Sequence, residues 1–201
     1  MDDRQSQSPS QSQVAGIVLA AGESSRLGRP KQLLTVDRRP LVLRAVQAAL
    51  THCAAGVVVV TGAFHDEVAA ALADTPATIV RNPDWREGIG VSIRCGVAAL
   101  GDTRAAYLLM LCDQPDVGAA QLSALIDAWR AQPKQIAAAG YAGVRGVPAV
   151  FPARCHDSLA GLHGDHGARR LIEAEAEVTV VDMPEAAFDV DTPADARRIG
   201  Q

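Results

Sequence analysis

The 201-residue chain is poor in aromatic side chains, with two tryptophans, two tyrosines and three phenylalanines. Its core must therefore draw on Ala, Val, Leu and Ile, a composition that suits a buried parallel sheet covered by helices. The four cysteines, Cys53, Cys95, Cys112 and Cys155, are scattered, with no Cys-x-x-Cys pair and no Cys/His cluster. That spacing speaks against a zinc centre and for buried free thiols in a reducing compartment. No apolar run reaches the length of a membrane span. Residues 1–13 are Ser/Gln-rich without an apolar segment, so they read as a disordered tail and not as a secretory signal. The net charge is −4 at pH 7, which argues against a generally basic, nucleic-acid-binding surface. The expectation is one soluble, cytoplasmic domain over residues 14–201, with no membrane and no nucleic-acid partner.

What is present is a regular alternation. Apolar, β-rich runs at Val14 to Ala20, Gly56 to Thr61, Ala77 to Val80, Ala105 to Leu111, Ile136 to Tyr141, Val147 to Phe151 and Val178 to Val181 read as strands. Helical spacing appears at Leu41 to Leu50 (opened by Pro40), Asp66 to Leu72, Val91 to Leu100, Gly118 to Arg130 and His166 to Glu175, with a last short helix near Pro193. Strand–helix alternation implies right-handed crossovers and an α/β, Rossmann-like three-layer sandwich with a mostly parallel sheet. The stretch Gly140 to Pro152 is where an antiparallel element fits.

The first strand runs into Leu19-Ala20-Ala21-Gly22-Glu23-Ser24-Ser25-Arg26-Leu27-Gly28-Arg29-Pro30-Lys31. Glycines allow backbone N–H groups to approach an anion, and Arg26 and Lys31 can neutralise it. The loop is not a Walker A motif, because Gly-Lys-Ser/Thr is missing, and Gly22 and Gly28 form no Gly-x-Gly dinucleotide fingerprint. A strand ending in such a loop points to a triphosphate site at the carboxyl edge of a parallel sheet. The plainer alternative is a Gly-rich turn with two solvated basic residues.

Two acidic segments are candidates for a metal. Asp113 follows the apolar strand Tyr107 to Leu111, and a carboxylate there lies beside the other strand ends. Magnesium takes one or two carboxylates plus substrate phosphates, although Asp113-Gln114-Pro115-Asp116 also suits an ordinary turn. Asp189-Val190-Asp191-Thr192-Pro193-Ala194-Asp195 places Asp191 or Thr192 as the cap of a helix with Pro193 in its first turn. On spacing alone Ser92 also suits a cap, and Trp85 suits packing as well as covering a ligand.

Leu19 to Gly22, Arg26-Leu27-Gly28 and Pro30-Lys31 together resemble the signature of the MobA-like nucleotidyltransferases, most of all the subgroup of molybdenum cofactor cytidylyltransferases. The Asn82 to Ser92, Arg145 to Phe151, Gly164 to Arg169 and Asp189 to Asp195 segments resemble that family too. The resemblance implies a GT-A-like nucleotidyltransferase fold and a magnesium-dependent transfer of a nucleoside monophosphate. CTP is the favoured donor and a phosphorylated compound such as molybdopterin the acceptor. It implies nucleotide contacts from Leu19, Ala20, Ala21, Gly22, Ser24, Ser25, Arg26, Gly28, Lys31, Gly88 and Ser92. Arg26, Lys31 and Asp113 become the catalytic candidates, Asp113 and Asp191 the Mg2+ ligands, and Gly146, Pro148, Asp165 and Arg169 the acceptor side. A transient contact with a molybdoenzyme or its chaperone follows from the same resemblance. Val147 stands where many molybdopterin-handling members carry His. The alternatives are a molybdopterin guanylyltransferase, a sugar- or alditol-phosphate nucleotidyltransferase, a glycosyltransferase, and a non-catalytic nucleotide-binding accessory protein.

Overall fold

The computed structural model of the protein describes residues 14–102 and 105–201, so the expected tail over residues 1–13 lies outside the described residues. The sheet contains β1 (Val14–Ala20), β4 (Val57–Thr61), β5 (Thr78–Arg81), β6 (Ala106–Leu111), β7 (Ile136–Tyr141), β8 (Val144–Pro152) and β9 (Val178–Asp182). Their spatial order is β5-β4-β1-β6-β8-β7-β9. Only β8 runs against its neighbours; β5, β4, β1 and β6 are mutually parallel, and β9 pairs parallel to β7. A short antiparallel ribbon, β2 (Thr35–Val36) and β3 (Arg39–Pro40), stands apart from this sheet.

The seven helices are α1 (Leu41–His52), α2 (His65–Ala71), α3 (Ile89–Leu100), α4 (Ala119–Ala131), α5 (His156–Ala160), α6 (Arg169–Ala174) and α7 (Pro193–Arg198) among the described residues. They cover both faces. Along β1, Val14, Val18 and Ala20 face a core completed by α1, α2 and α4, while Ala15, Ile17 and Leu19 face one completed by α3, α5 and α6. Every residue of β1 is buried, which is why the strand reads as a continuous apolar run and not as an alternating one. A third, small cluster of Leu27, Leu34, Leu41, Val190 and Ala196 ties the loop after β1 to the segment that leads into α7.

Several expected boundaries move, each for a physical reason. The helix expected from His166 begins at Arg169, because residues 163–167 are held in a loop whose Gly164 carbonyl accepts from the Gly90 N–H at 2.9 Å. The expected strand at Val147 lengthens to Val144–Pro152, since Ala142 and Gly143 form a tight turn with φ of +48° and +76° that pairs Tyr141 with Val144. The β2–β3 ribbon was not foreseen: its turn places Asp37 and Arg38 at φ of +51° and +61°, without the glycine that usually marks such a turn. Helix α5 has five residues, too few to show a period.

Candidate active site

Strands β1 and β6 are neighbours, yet the chain leaves them in opposite directions along the sheet, β1 toward β4 and β6 toward the β8 side. Open α/β sheets bind ligands in the crevice outside the carboxyl ends of such a strand pair. Here the crevice is a cleft of about 230 Å³, walled by residues 19–22, Lys31, Gln32, Trp85, Gly88, Ile89, Ser92 and residues 111–113. Eight of the expected site residues thus meet in one cleft: Leu19, Ala20, Ala21, Gly22, Lys31, Gly88, Ser92 and Asp113.

The loop from Ala21 to Pro30 is held from beneath. Ser24 adopts φ of +57°, and its carbonyl accepts from the N–H groups of Leu27 and Gly28, both at 3.0 Å. Its hydroxyl accepts from the Lys31 N–H at 3.1 Å and lies 3.4 Å from Gln32 Oε1. Gln32, almost fully buried, donates from Nε2 to the carbonyls of Ala20 at 3.1 Å and Gly22 at 2.7 Å. Ser24 therefore organises the loop, whereas Ser25, Arg26 and Gly28 lie exposed on it. The function of Gln32 was missed in the sequence; its only signal was an amide immediately after a basic residue.

The charges converge at the mouth. Lys31 Nζ contacts Asp113 Oδ2 and lies 2.7 Å from Asp191 Oδ1. Arg26, mostly exposed, reaches the other oxygen of Asp191 at 2.6 Å. Burial works against the charge of Lys31, but Asp113 and then Asp191 outweigh it and hold the lysine pKa above its usual value. The carbonyl of Asp113 accepts from Val190 N–H at 2.9 Å, which sets the Asp189–Asp191 stretch beside it. Thr192, not Asp191, caps α7: Asp195 N–H donates to its hydroxyl, and its own N–H donates to the Asp195 carboxylate at 2.9 Å. Asp191 keeps its side chain for the two cations.

Sequence reasoning passed over Asp189 and Gln114. Neighbouring protein atoms strip water from the Asp189 carboxyl, Asp113 and Asp191 add negative charge, and its pKa rises to about 6 despite Gln114 and Lys31. Gln114 Nε2 donates to the Ala186 carbonyl at 3.0 Å, joining the turn after β6 to the segment before Asp189.

At the other end of the cleft, Gly88 has φ of +110°, and a Cβ there would lie 2.3 Å from the carbonyl carbon and oxygen of Gly164. Only glycine permits this approach. Ser92 lies within α3 and makes no cap; Gly88 is the N-cap residue and offers no side chain for one. Its hydroxyl accepts from Asn82 Nδ2 at 3.0 Å, and both residues are buried. Trp85 lines the cleft with the Arg86 guanidinium 4.2 Å from its ring centroid.

Of the four acceptor-side candidates, two lie within β8 and two on the loop and helix that follow α5. Gly146 and Pro148 are buried within β8, where a Cβ on Gly146 would lie 2.6 Å from the Tyr141 hydroxyl, and the Val147–Pro148 peptide is cis. Asp165 is exposed on the loop that packs against Gly88, and Arg169 is exposed and paired with Glu173 at 2.7 Å.

The donor set suits a hard divalent cation. Asp113 and Asp191 offer carboxylate oxygens, and Asp113 Oδ1 is buried with no hydrogen-bond partner among the described residues. No three His, Cys, Asp or Glu side chains of the described residues are grouped to hold a metal, so further oxygens would have to come from a substrate or water.

A basic loop and two carboxylates thus meet at the switch point of a mostly parallel sheet, the arrangement of an α/β fold that binds its ligand at the strand ends. Residues 16–180 match the MobA-like NTP transferase domain, and the chain belongs to that family. Over 191 residues it is 35% identical to nicotine blue oxidoreductase of Paenarthrobacter nicotinovorans, covering 89% of this chain and 92% of that one. A probable molybdenum cofactor guanylyltransferase of Rhodopirellula baltica is 27% identical over 90% of this chain and 89% of its own length. The molybdenum cofactor cytidylyltransferase of Escherichia coli K12 is 32% identical over 42% of this chain and 44% of its own. Rv0371c of Mycobacterium tuberculosis H37Rv, solved in complex with manganese, superposes with a TM-score of 0.77 at 31% identity, over 93% of this chain and 97% of that one. No helix of the described residues is long and apolar enough to cross a membrane.

Proposed function

We propose that this nucleotidyltransferase transfers CMP from CTP to the phosphate of molybdopterin, with Mg2+ as the metal and pyrophosphate as the leaving group. The observation that carries this reading is Lys31 held between Asp113 and Asp191 in the cleft at the carboxyl ends of β1 and β6. The triphosphate lies along the loop from Ala20 to Lys31, the ribose and base extending toward Gly88 and Ser92. Asp113 and Asp191 hold the metal, which when bound neutralises phosphate charge. An oxygen of the acceptor phosphate attacks the α-phosphorus in line. A new P–O bond forms there as the bond to the β-phosphate oxygen breaks. Lys31 and Arg26 take up the negative charge that moves onto the departing pyrophosphate. No protein nucleophile is required, since positioning and charge stabilisation supply the catalysis.

CTP is preferred because the Ala21 methyl narrows the loop where guanylyl-transferring relatives more often carry glycine. Discrimination by one methyl is worth about 1–3 kcal/mol, so selection for CTP is incomplete. Gly146, Pro148, Asp165 and Arg169 serve the acceptor side, where the finished cofactor passes to a molybdoenzyme or its chaperone. Residues 14–201 form the catalytic domain. Four unpaired thiols suit a reducing cytoplasm.

The test is to incubate the purified protein with CTP, GTP or ATP, Mg2+, and molybdopterin or a sugar or alditol phosphate. Pyrophosphate and nucleotide-linked products are then measured. Product from CTP and molybdopterin is expected; a clear preference for GTP or ATP, or for another acceptor, overturns the reading.

A further inference from the structure

We propose that Lys31 is an internal cation that occupies the metal's place between Asp113 and Asp191, so that metal and nucleoside triphosphate bind as a coupled pair. The inference rests on the reading of this cleft as a triphosphate site with Asp113 and Asp191 as metal ligands.

Three of the four carboxylate oxygens are already taken. Lys31 Nζ contacts Asp113 Oδ2 and Asp191 Oδ1, and Arg26 holds Asp191 Oδ2 at 2.6 Å. Only Asp113 Oδ1 is without a partner among the described residues, and it is buried. A divalent ion shared by the two aspartates therefore competes with the ammonium that now joins them. Displacing the ammonium is costly on its own. The Lys31 side chain is 17% exposed, and an ammonium withdrawn from its carboxylates in that setting loses charge partners that water replaces poorly.

A triphosphate changes the balance, because it offers the displaced ammonium new anionic oxygens on the cleft side. It is equally unfavourable alone, since it would bring several negative charges beside two carboxylates. Each ligand therefore supplies what the other needs, and such coupling is reciprocal. The backbone is built for a movement confined to the side chain. Lys31 N–H is fixed to Ser24 Oγ at 3.1 Å, and the next residue, Gln32, is fixed to the carbonyls of Ala20 and Gly22. The flexible four-carbon stem is left to swing from the carboxylates to the phosphates.

The experiment reads Mn2+ binding to the full chain by electron paramagnetic resonance of the free ion, without acceptor and hence without turnover. Wild type, Lys31→Met and Lys31→Arg are compared, with thermal melts to confirm that each is folded. Without nucleotide, Lys31→Met is expected to bind Mn2+ about tenfold more tightly than wild type, while Lys31→Arg, which keeps a cation, stays near wild type. With CTP, and after correction for the Mn2+–CTP complex in solution, wild-type affinity is expected to rise about tenfold or more, in the usual range for coupled sites. Lys31→Met is expected to show little of that gain. Equal Mn2+ affinity in wild type and Lys31→Met overturns the proposal, as does a wild-type Mn2+ affinity indifferent to CTP, a measurement that needs no variant to fold. A protein that transfers no CMP to molybdopterin but shows this competition refutes the donor and acceptor assignment only. One that transfers CMP without it refutes the role of Lys31 only.

Discussion

Replacing Gln32 with Met keeps the length and bulk of the side chain and removes its two N–H donors. Those donors bind the carbonyls of Ala20 at 3.1 Å and Gly22 at 2.7 Å, so the amide clamps the start of the phosphate loop to the end of β1. An ordinary hydrogen bond contributes about 0.5–1.5 kcal/mol net, and a buried group left without its partner costs about 1–3 kcal/mol. Gly22 is exposed and water can replace its bond, which places its loss at the low end; Ala20 is 2% exposed, which places its loss at the high end. The sum is roughly 2–4 kcal/mol. For a chain of this size each kcal/mol lowers Tm by about 2–4 °C, so a drop of roughly 4–16 °C is expected in a reversible thermal melt. CTP affinity, measured by calorimetry on the folded variant below its Tm, should fall as well, because the loop proposed to carry the phosphates loses its anchor to β1. A Gln32→Met protein that melts within a degree of wild type and binds CTP equally well would refute the clamp.

Gly88→Ala should destabilise the fold by about 2–5 kcal/mol, because its Cβ meets the Gly164 carbonyl and φ is strongly positive; a urea titration with an unchanged midpoint would count against that contact. Asp191→Asn should raise the Mg2+ concentration needed for half-maximal activity, with α7 intact by circular dichroism, since Thr192 and not Asp191 is the cap. Asp189 titrates near 6 in the folded protein, above its ordinary value of 3.8. Its contribution to stability is therefore full below the unfolded value and is lost as pH rises through about 6. Asp189→Asn, in chelator, should flatten the decline in Tm over that interval and leave the variant more stable than wild type at neutral pH; parallel Tm–pH curves would contradict this.

The parts of the molecule legible in the sequence are those with a local cause. β1 and β7 have the expected ends, because an unbroken apolar run bounded by loop residues leaves little freedom. The meeting of Leu19 to Gly22, Lys31 and Asp113 followed from one rule, that loops at the carboxyl edge of a parallel sheet share a crevice. What the sequence hid was the work of single polar groups at long range. Ser92 looked like a cap, but its hydroxyl is bound by Asn82, a partner across the turn between β5 and α3. Asp189 carries no signal of its own within its acidic stretch, and the Val190 N–H on the Asp113 carbonyl helps to bring it beside the other carboxylates. The loop from Gly164 to Gly167 resembled an acceptor element. Its contact with Gly88 joins it to the wall of the cleft, a pairing with no trace in either segment read alone.

The ion pair of Lys31 with Asp191 spans 160 residues of chain, and the Leu27–Leu34–Val190–Ala196 cluster seals the same junction. Contacts of such long range close late, because a chain must first lose the entropy of a very large loop. During synthesis, β1 and the phosphate loop emerge long before Asp191 exists to meet them. A nascent chain can thus assemble most of its sheet and still present Lys31 and Asp113 without their second carboxylate. The junction is therefore one of the last contacts that the growing polypeptide can form.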